Sequence, residues 1–143
     1  MSDSKTLLEC CLYFTANNLA RTITRMAEEA FSPLGLSPSQ AFLVMLAIES
    51  PGMSASEMAS QLHLAPSTVT RLVDGLIRKN FVERKIEGKA SLIHPAPRAK
   101  ELAPEIAVAW KRLYHNYSDV LGENAGRELT GVIHEAFQRL DRA

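Results

Sequence analysis

The 143-residue sequence contains no apolar run near the ~20 residues that a membrane-spanning helix needs. No basic segment precedes an apolar stretch at the N-terminus, so no signal peptide is expected and a cytoplasmic location is. The groups that catalysis requires are missing as well. His63, His94, His115 and His134 are scattered without metal-ligand spacing, and there is no glycine-rich phosphate loop, nucleophile motif or recognisable pair of carboxylates. The expectation is a protein that is not an enzyme and that uses no cofactor or metal.

Net charge is absent too, because 16 Lys and Arg balance 16 Asp and Glu. A basic surplus is the usual footprint of a nucleic-acid binder, so the balance counts against that class. The distribution reverses the inference. Residues 1–62 hold three basic against six acidic residues, and residues 99–143 hold six against seven. Residues 63–98 hold seven against three, a net of +4 in the middle of the chain. Positive charge concentrated there is placed to neutralise phosphates.

The centre of that segment is Pro66 to Lys79. Val69, Leu72, Val73, Leu76 and Ile77 recur at the spacing of a helix pressed against a core. At about 100° per residue, the opposite face carries Ser67, Arg71, Asp74 and Arg78, with Thr68 and Thr70 on its flanks. Short hydroxyls near the start and arginines further on suit a DNA groove, although a solvated surface helix has the same pattern. The flanking sequence decides between them. Upstream, Ser54 and Glu57 form a capping box that opens a short helix containing Met58, Ala59 and Leu62. His63-Leu64-Ala65 is a tight connection, and Pro66 occupies the first helical position. Downstream, Asn80 ends the helix, Phe81–Ile86 and Ala90–His94 read as two strands, and Glu87-Gly88-Lys89 is their turn. A short helix, a turn, a longer helix and a β-hairpin make a winged helix-turn-helix.

The rest is helical. Leu8, Leu12, Ala16, Leu19, Ile23, Met26 and Ala30 form a near-heptad seam, predicting one helix from Thr6 to about Phe31. Ser37-Pro38-Ser39-Gln40 is a second capping box and opens a mostly apolar helix to about Glu49. A long helix begins at Pro97, where Pro104 should kink it, and ends at Gly122; a last amphipathic helix carries Leu129, Val132, Ile133, Ala136, Phe137 and Leu140. The fold expected is mainly α, a winged helix-turn-helix over 36–96 with dimerisation helices at 6–31 and 98–142. Such ends would pair two copies across a two-fold axis and hold two reading helices one DNA turn apart, ~34 Å.

Leu36-Ser37-Pro38-Ser39-Gln40-Ala41-Phe42-Leu43-Val44-Met45-Leu46, Glu57-Met58-Ala59-Ser60-Gln61-Leu62, Ser67-Thr68-Val69-Thr70-Arg71-Leu72-Val73-Asp74 and Phe81-Val82-Glu83-Arg84 together resemble the multiple-antibiotic-resistance regulator (MarR) family. A looser similarity continues through Leu92–Leu102. The resemblance implies a homodimeric bacterial transcription factor, usually a repressor, on a pseudo-palindromic double-stranded DNA operator. Position by position it puts Ser67, Thr68, Thr70 and Arg71 in the major groove; Arg78 and Lys79 are expected at phosphates, and Asp74, four residues before Arg78, is spaced to orient it. Arg84, Lys85 and Lys89 complete the expected DNA-binding set from the wing. The wing departs from the family, being short at its tip with Lys89 where many members carry an arginine.

The resemblance also implies a small-molecule effector, for which Tyr13, Asn17, Arg21, Phe42, Trp110 and Tyr114 could line a pocket suited to a small aromatic or phenolic acid. Some relatives sense oxidants through a cysteine in the first helix, so Cys10 and Cys11 are redox candidates. Against that, the reactive position of those sensors aligns with Tyr13, and buried structural cysteines are the plainer explanation. A winged helix used only for protein–protein contact is the other alternative; its reading helix would carry apolar anchors where this one has hydroxyls and arginine. Ala65 and Ala96 stand before Pro66 and Pro97 where a capping side chain is usual, a loss of ~1 kcal/mol each that proline's fixed φ partly offsets.

Overall fold

Ser37 starts the helix at the centre of the molecule. Its Oγ accepts from the Gln40 amide and its own amide donates to Gln40 Oε1, both at 3.1 Å. This reciprocal cap, with Pro38 behind it, launches α3 (Pro38–Glu49). The helix is apolar almost all round, and Ala41, Leu43, Val44 and Ala47 are fully buried. The other elements of a computed structural model, which describes residues 4–143, pack around it.

In chain order these are α1 (Ser4–Glu9), α2 (Leu12–Phe31), a 3₁₀ turn (Ser32–Leu34), α3, β1 (Met53–Ser54), α4 (Ala55–Leu62), α5 (Pro66–Arg78), β2 (Val82–Glu87), β3 (Ala90–Pro95), α6 (Pro97–Leu121) and α7 (Glu123–Asp141). The strands form one antiparallel sheet in the order β1-β3-β2. Val82 faces Pro95 and Glu87 faces Ala90, so the wing turns on only Gly88 and Lys89, with Gly88 at φ 60°. Phe31, Met58, Val69, Val73, Leu76, Phe81, Ile93 and Ile106 fill the core around α3. The fold is a winged helix-turn-helix carried between terminal helices. No single helix among the described residues is long and apolar enough to cross a membrane.

Four local expectations change. The first helix is not continuous from Thr6: it breaks at Cys10 and Cys11, and Cys11 is extended (φ −90°, ψ 116°) ahead of α2. The Cys10 amide bonds back to the Thr6 and Leu7 carbonyls, which closes α1, and none of the residues of α1 is buried. With weak helix formers at the junction and no core contact to override them, the seam from Leu8 to Leu12 loses its register. The box at Ser54 is one-sided. Its Oγ accepts from the Glu57 amide (3.1 Å), with no return bond from Glu57 among the described residues. The first wing strand starts and ends one residue later than its pattern suggests, because the Phe81 amide is held by the Leu76 carbonyl (2.9 Å) and finishes the helix instead. The second starts as expected at Ala90 but runs one residue further. β1 is the fourth: two residues long, it pairs Met53 with Ile93 and Ser54 with Leu92, anchoring the wing to the start of α4. Helix α6 runs unbroken through Pro104.

Candidate nucleic-acid interface

Helix α5 is set by its ends. Ala65 is extended and offers no side-chain cap, so the start rests on Pro66. Asn80 takes the left-handed conformation (φ 63°) at the finish, where short polar side chains are tolerated. Val69, Val73 and Leu76 are buried against the core, and this turns Ser67, Thr70, Arg71 and Arg78 to solvent, with Thr68 half-buried beside them. The Thr70 hydroxyl donates to the Pro66 carbonyl (3.0 Å), leaving its oxygen as an acceptor only. Arg71 and Arg78 have no ion-pair partner among the described residues. Lys85 and Lys89 are likewise exposed and unpaired on the wing.

Two of the basic residues expected at DNA, Arg84 and Lys79, are engaged within the protein, and Asp74 has a different partner from the one expected. Asp74 does not orient Arg78. It accepts from Arg84 Nη2 at 2.7 Å, tying β2 to the middle of α5. The two lie ten residues apart, so the partner comes from the folding back of the wing, which outcompetes the neighbour one helical turn away. Arg84 therefore fixes the wing, and its charge is compensated. Lys79 points back into the protein's own frame: its Nζ donates to the Gly35 carbonyl (2.7 Å) and to Gln40 Oε1 (3.0 Å). The Arg84–Asp74 pair is partly exposed, and such pairs contribute ~1 kcal/mol or less. Arg84→Ala should therefore leave the urea midpoint nearly unchanged while loosening the hairpin; faster amide exchange confined to β2 and β3 is the expected reading. A large loss of global stability would contradict this role.

The six candidate effector residues occupy three separate places. Phe42 and Trp110 stack at 4.2 Å between ring centroids, and Trp110 also meets Phe31 at 4.4 Å. The Trp110 indole N–H donates to Met45 Sδ, so Trp110 packs toward the core while Phe42 stays exposed on its outer side. Tyr13, Asn17 and Arg21 lie on an exposed stripe of α2, well round the helix from Ala27 and Ala30. Asn17 donates to the Tyr13 carbonyl (2.7 Å), and Arg21 hydrogen-bonds Asn18 on the same surface. Tyr114 faces α7 instead. Its hydroxyl donates to Glu123 Oε1 and accepts from Arg127 Nε, each at 3.2 Å. That hydroxyl, and then the Glu123 carboxylate, raise the Arg127 pKa above its ordinary range. Among the described residues these three places are not joined by contacts between them. The space beside Phe42 is a groove of about 370 Å³ between α3 and α4, lined also by Met45, Leu46, Glu49, Gln61 and Leu62.

Cys10 is exposed and Cys11 half-buried, both in the break between α1 and α2 rather than on a helix face. No cluster of three or more His, Cys, Asp or Glu able to hold a metal occurs among the described residues. Sequence reasoning missed two further connections. Arg98 donates to the Lys79 carbonyl and lies 4.6 Å over the Phe81 ring, joining the start of α6 to the end of α5. His63, left-handed at φ 53° in the α4–α5 turn, meets Phe137 of α7 edge-on at 4.9 Å. Neither has a local sequence signal, since the partners are 19 and 74 residues apart.

A reading helix with a free polar face, a basic wing braced against it and terminal helices around both can be compared with known proteins. Residues 36–87 match the MarR family model, the span from α3 to the end of β2. The centre of the chain is similar to the MarR family. The MarR fold extends over nearly all of the chain. A mutant MarR from E. coli complexed with operator DNA is similar with a TM-score of 0.81 at 16% identity, covering 94% of this chain and 99% of that one. The S. aureus MepR–DNA complex gives 0.79 at 13% identity, covering 91% and 98%. CouR from Rhodococcus jostii RHA1 bound to p-coumaroyl-CoA gives 0.77 at 18% identity, covering 90% and 93%. A sequence search of curated proteins finds no match. The match over residues 36–87 is to a family of regulators, and it takes in the reading helix and the first wing strand.

Proposed function

We propose that this chain is a MarR-family homodimeric repressor that inserts α5 into the major groove of each half of a pseudo-palindromic operator. The observation that carries the proposal is the solvent face of α5. Ser67, Thr70 and Arg71 are exposed at the end that would meet base edges, Thr70 with its oxygen left as an acceptor, and Arg78 lies about two turns beyond. An interaction helix would present apolar anchors there. Lys85 and Lys89 extend the same charge along the wing, and Lys89 at the two-residue tip is the group for the minor groove.

Two copies are required because one protomer offers few phosphate contacts. Arg78, Lys85 and Lys89 give six per dimer, so log K should fall against log salt with a slope of about −5. The measurement is fluorescence anisotropy of the full chain against a duplex selected from random sequence. Affinity lower by about 10³ at 200 mM than at 50 mM salt is expected. Binding that ignores salt, or its absence at low salt, would refute the reading. A small aromatic or phenolic effector is assigned to the groove beside Phe42. There it would wedge α3 from α4 and shift the recognition helix; the ligand-bound structure of CouR supports an effector-responsive scaffold.

A further inference from the structure

Lys79 is the basic residue that closes the reading helix, just past Arg78, yet its ammonium is drawn away from the free face by two oxygens, the Gly35 carbonyl at 2.7 Å and Gln40 Oε1 at 3.0 Å. The same Gln40 Oε1 holds the Ser37 amide at 3.1 Å, so one amide oxygen serves both the start of α3 and the end of α5. Its other end is equally close. Gln40 Nε2 lies 3.1 Å from where a Cβ would stand on the buried Gly75, so a side chain at that position would have to push the Gln40 amide aside. From the opposite side Arg98 donates to the Lys79 carbonyl, and its guanidinium covers Phe81. The end of α5 is thus gripped by the N-termini of α3 and α6 together, and the wing begins only three residues after Lys79.

We propose that Gln40, Lys79 and Arg98 are positioning residues for DNA recognition: a latch that sets the angle at which α5 and the wing leave the platform of α3 and α6. Lys79 acts on the operator through this latch and does not contact phosphate. The charge of Lys79 matters because bonds from an ammonium to neutral oxygens are stronger than those between neutral groups. Gln40 touches no DNA, so its contribution is felt wholly as discrimination between right and wrong sequences. This inference rests on the proposed DNA reading.

The test is anisotropy of the full-length protein on its selected operator and on a scrambled duplex, from 50 to 200 mM salt. The variants are Gln40→Leu, Lys79→Met, Lys79→Arg and Gln40→Leu with Lys79→Met, each first confirmed to melt cooperatively. Gln40→Leu and Lys79→Met should each lower the operator-to-scrambled ratio by about 10-fold, the size of one lost charge-assisted hydrogen bond. Their salt slopes should match wild type, and the double variant should be no worse than the worse single one, since both remove the same bond. Lys79→Arg, which keeps the charge but not the compact ammonium geometry, should not restore the ratio. The latch is overturned if Lys79→Met flattens the slope by about 2, one phosphate per protomer, or if Lys79→Arg behaves as wild type. It is overturned equally if the Gln40→Leu ratio is unchanged. Wild-type protein that fails to bind duplex at 50 mM salt would instead remove the DNA reading beneath it.

Discussion

A variant with Ile133→Glu and Leu140→Glu should sediment as a monomer and bind a full operator 10²- to 10⁴-fold more weakly than wild type, the range expected when two linked sites become independent. The expectation starts from α7. Ile133 is 48% and Leu140 63% exposed in the protomer, on a helix whose apolar stripe also shows Leu129 and Phe137 to solvent. That stripe borders an apolar groove of about 430 Å³ against Leu19 and Ile23 of α2 and Leu121 of α6. A two-fold partner covering it would bury both residues from each chain. With about half of each side chain still to bury, the four together contribute about 3–7 kcal/mol. A nanomolar dimer has about 12 kcal/mol in total, so removing them and adding four carboxylates leaves no stable pair. Because neither side chain holds the protomer together, the monomer should keep its helical signal. A folded dimer in the variant would show that two-fold pairing uses some other surface.

Legibility in the sequence followed the range of the interactions. Whatever is decided within four residues could be read directly: the Ser37–Gln40 cap, Pro66 at the head of α5, the left-handed stop at Asn80, the inward Val69 and Val73. The charge balance of residues 63–98 added the direction in which α5 looks. What could not be read was the choice among partners brought together by folding. Asp74 has Arg78 one turn away, and the helical spacing favours that pair; the wing delivers Arg84 to the same carboxylate at 2.7 Å and takes it. Lys79 has the composition of a phosphate contact, and only the approach of Gly35 and Gln40 reveals a closer set of oxygens. The proposed effector set divides among three places for a related reason. Positions 13, 17 and 21 share a helical stripe, but which stripe faces the core depends on where α2 begins, and the break at Cys10 and Cys11 is a weak signal. β1 was invisible because two residues carry no period.

Arg71→Ala should weaken operator binding about 5- to 150-fold for each half-site and erase the preference at one base pair, while binding to scrambled DNA hardly changes. Arg71 is exposed one turn after Ser67, carries no ion pair, and shares the free face of α5. Its guanidinium is the one near the start of α5, beside Ser67 and Thr70, and its planar fork matches the O6 and N7 edge of guanine, where a bidentate contact is worth ~1–3 kcal/mol of discrimination. Arg71→Lys separates this from a phosphate contact. Lysine keeps the charge and hence the salt slope, but it cannot reproduce the fork, so affinity for scrambled DNA should be retained and base preference lost. The readout is anisotropy with operators substituted one base pair at a time, compared across wild type and both variants. If arginine at 71 serves only a phosphate, Arg71→Lys will read the substituted operators as wild type does, and Arg71→Ala will lose affinity for every duplex by the same factor. Equal profiles of that kind would move base recognition to Ser67, Thr68 and Thr70 alone, whose single hydroxyls discriminate far less than a bidentate pair.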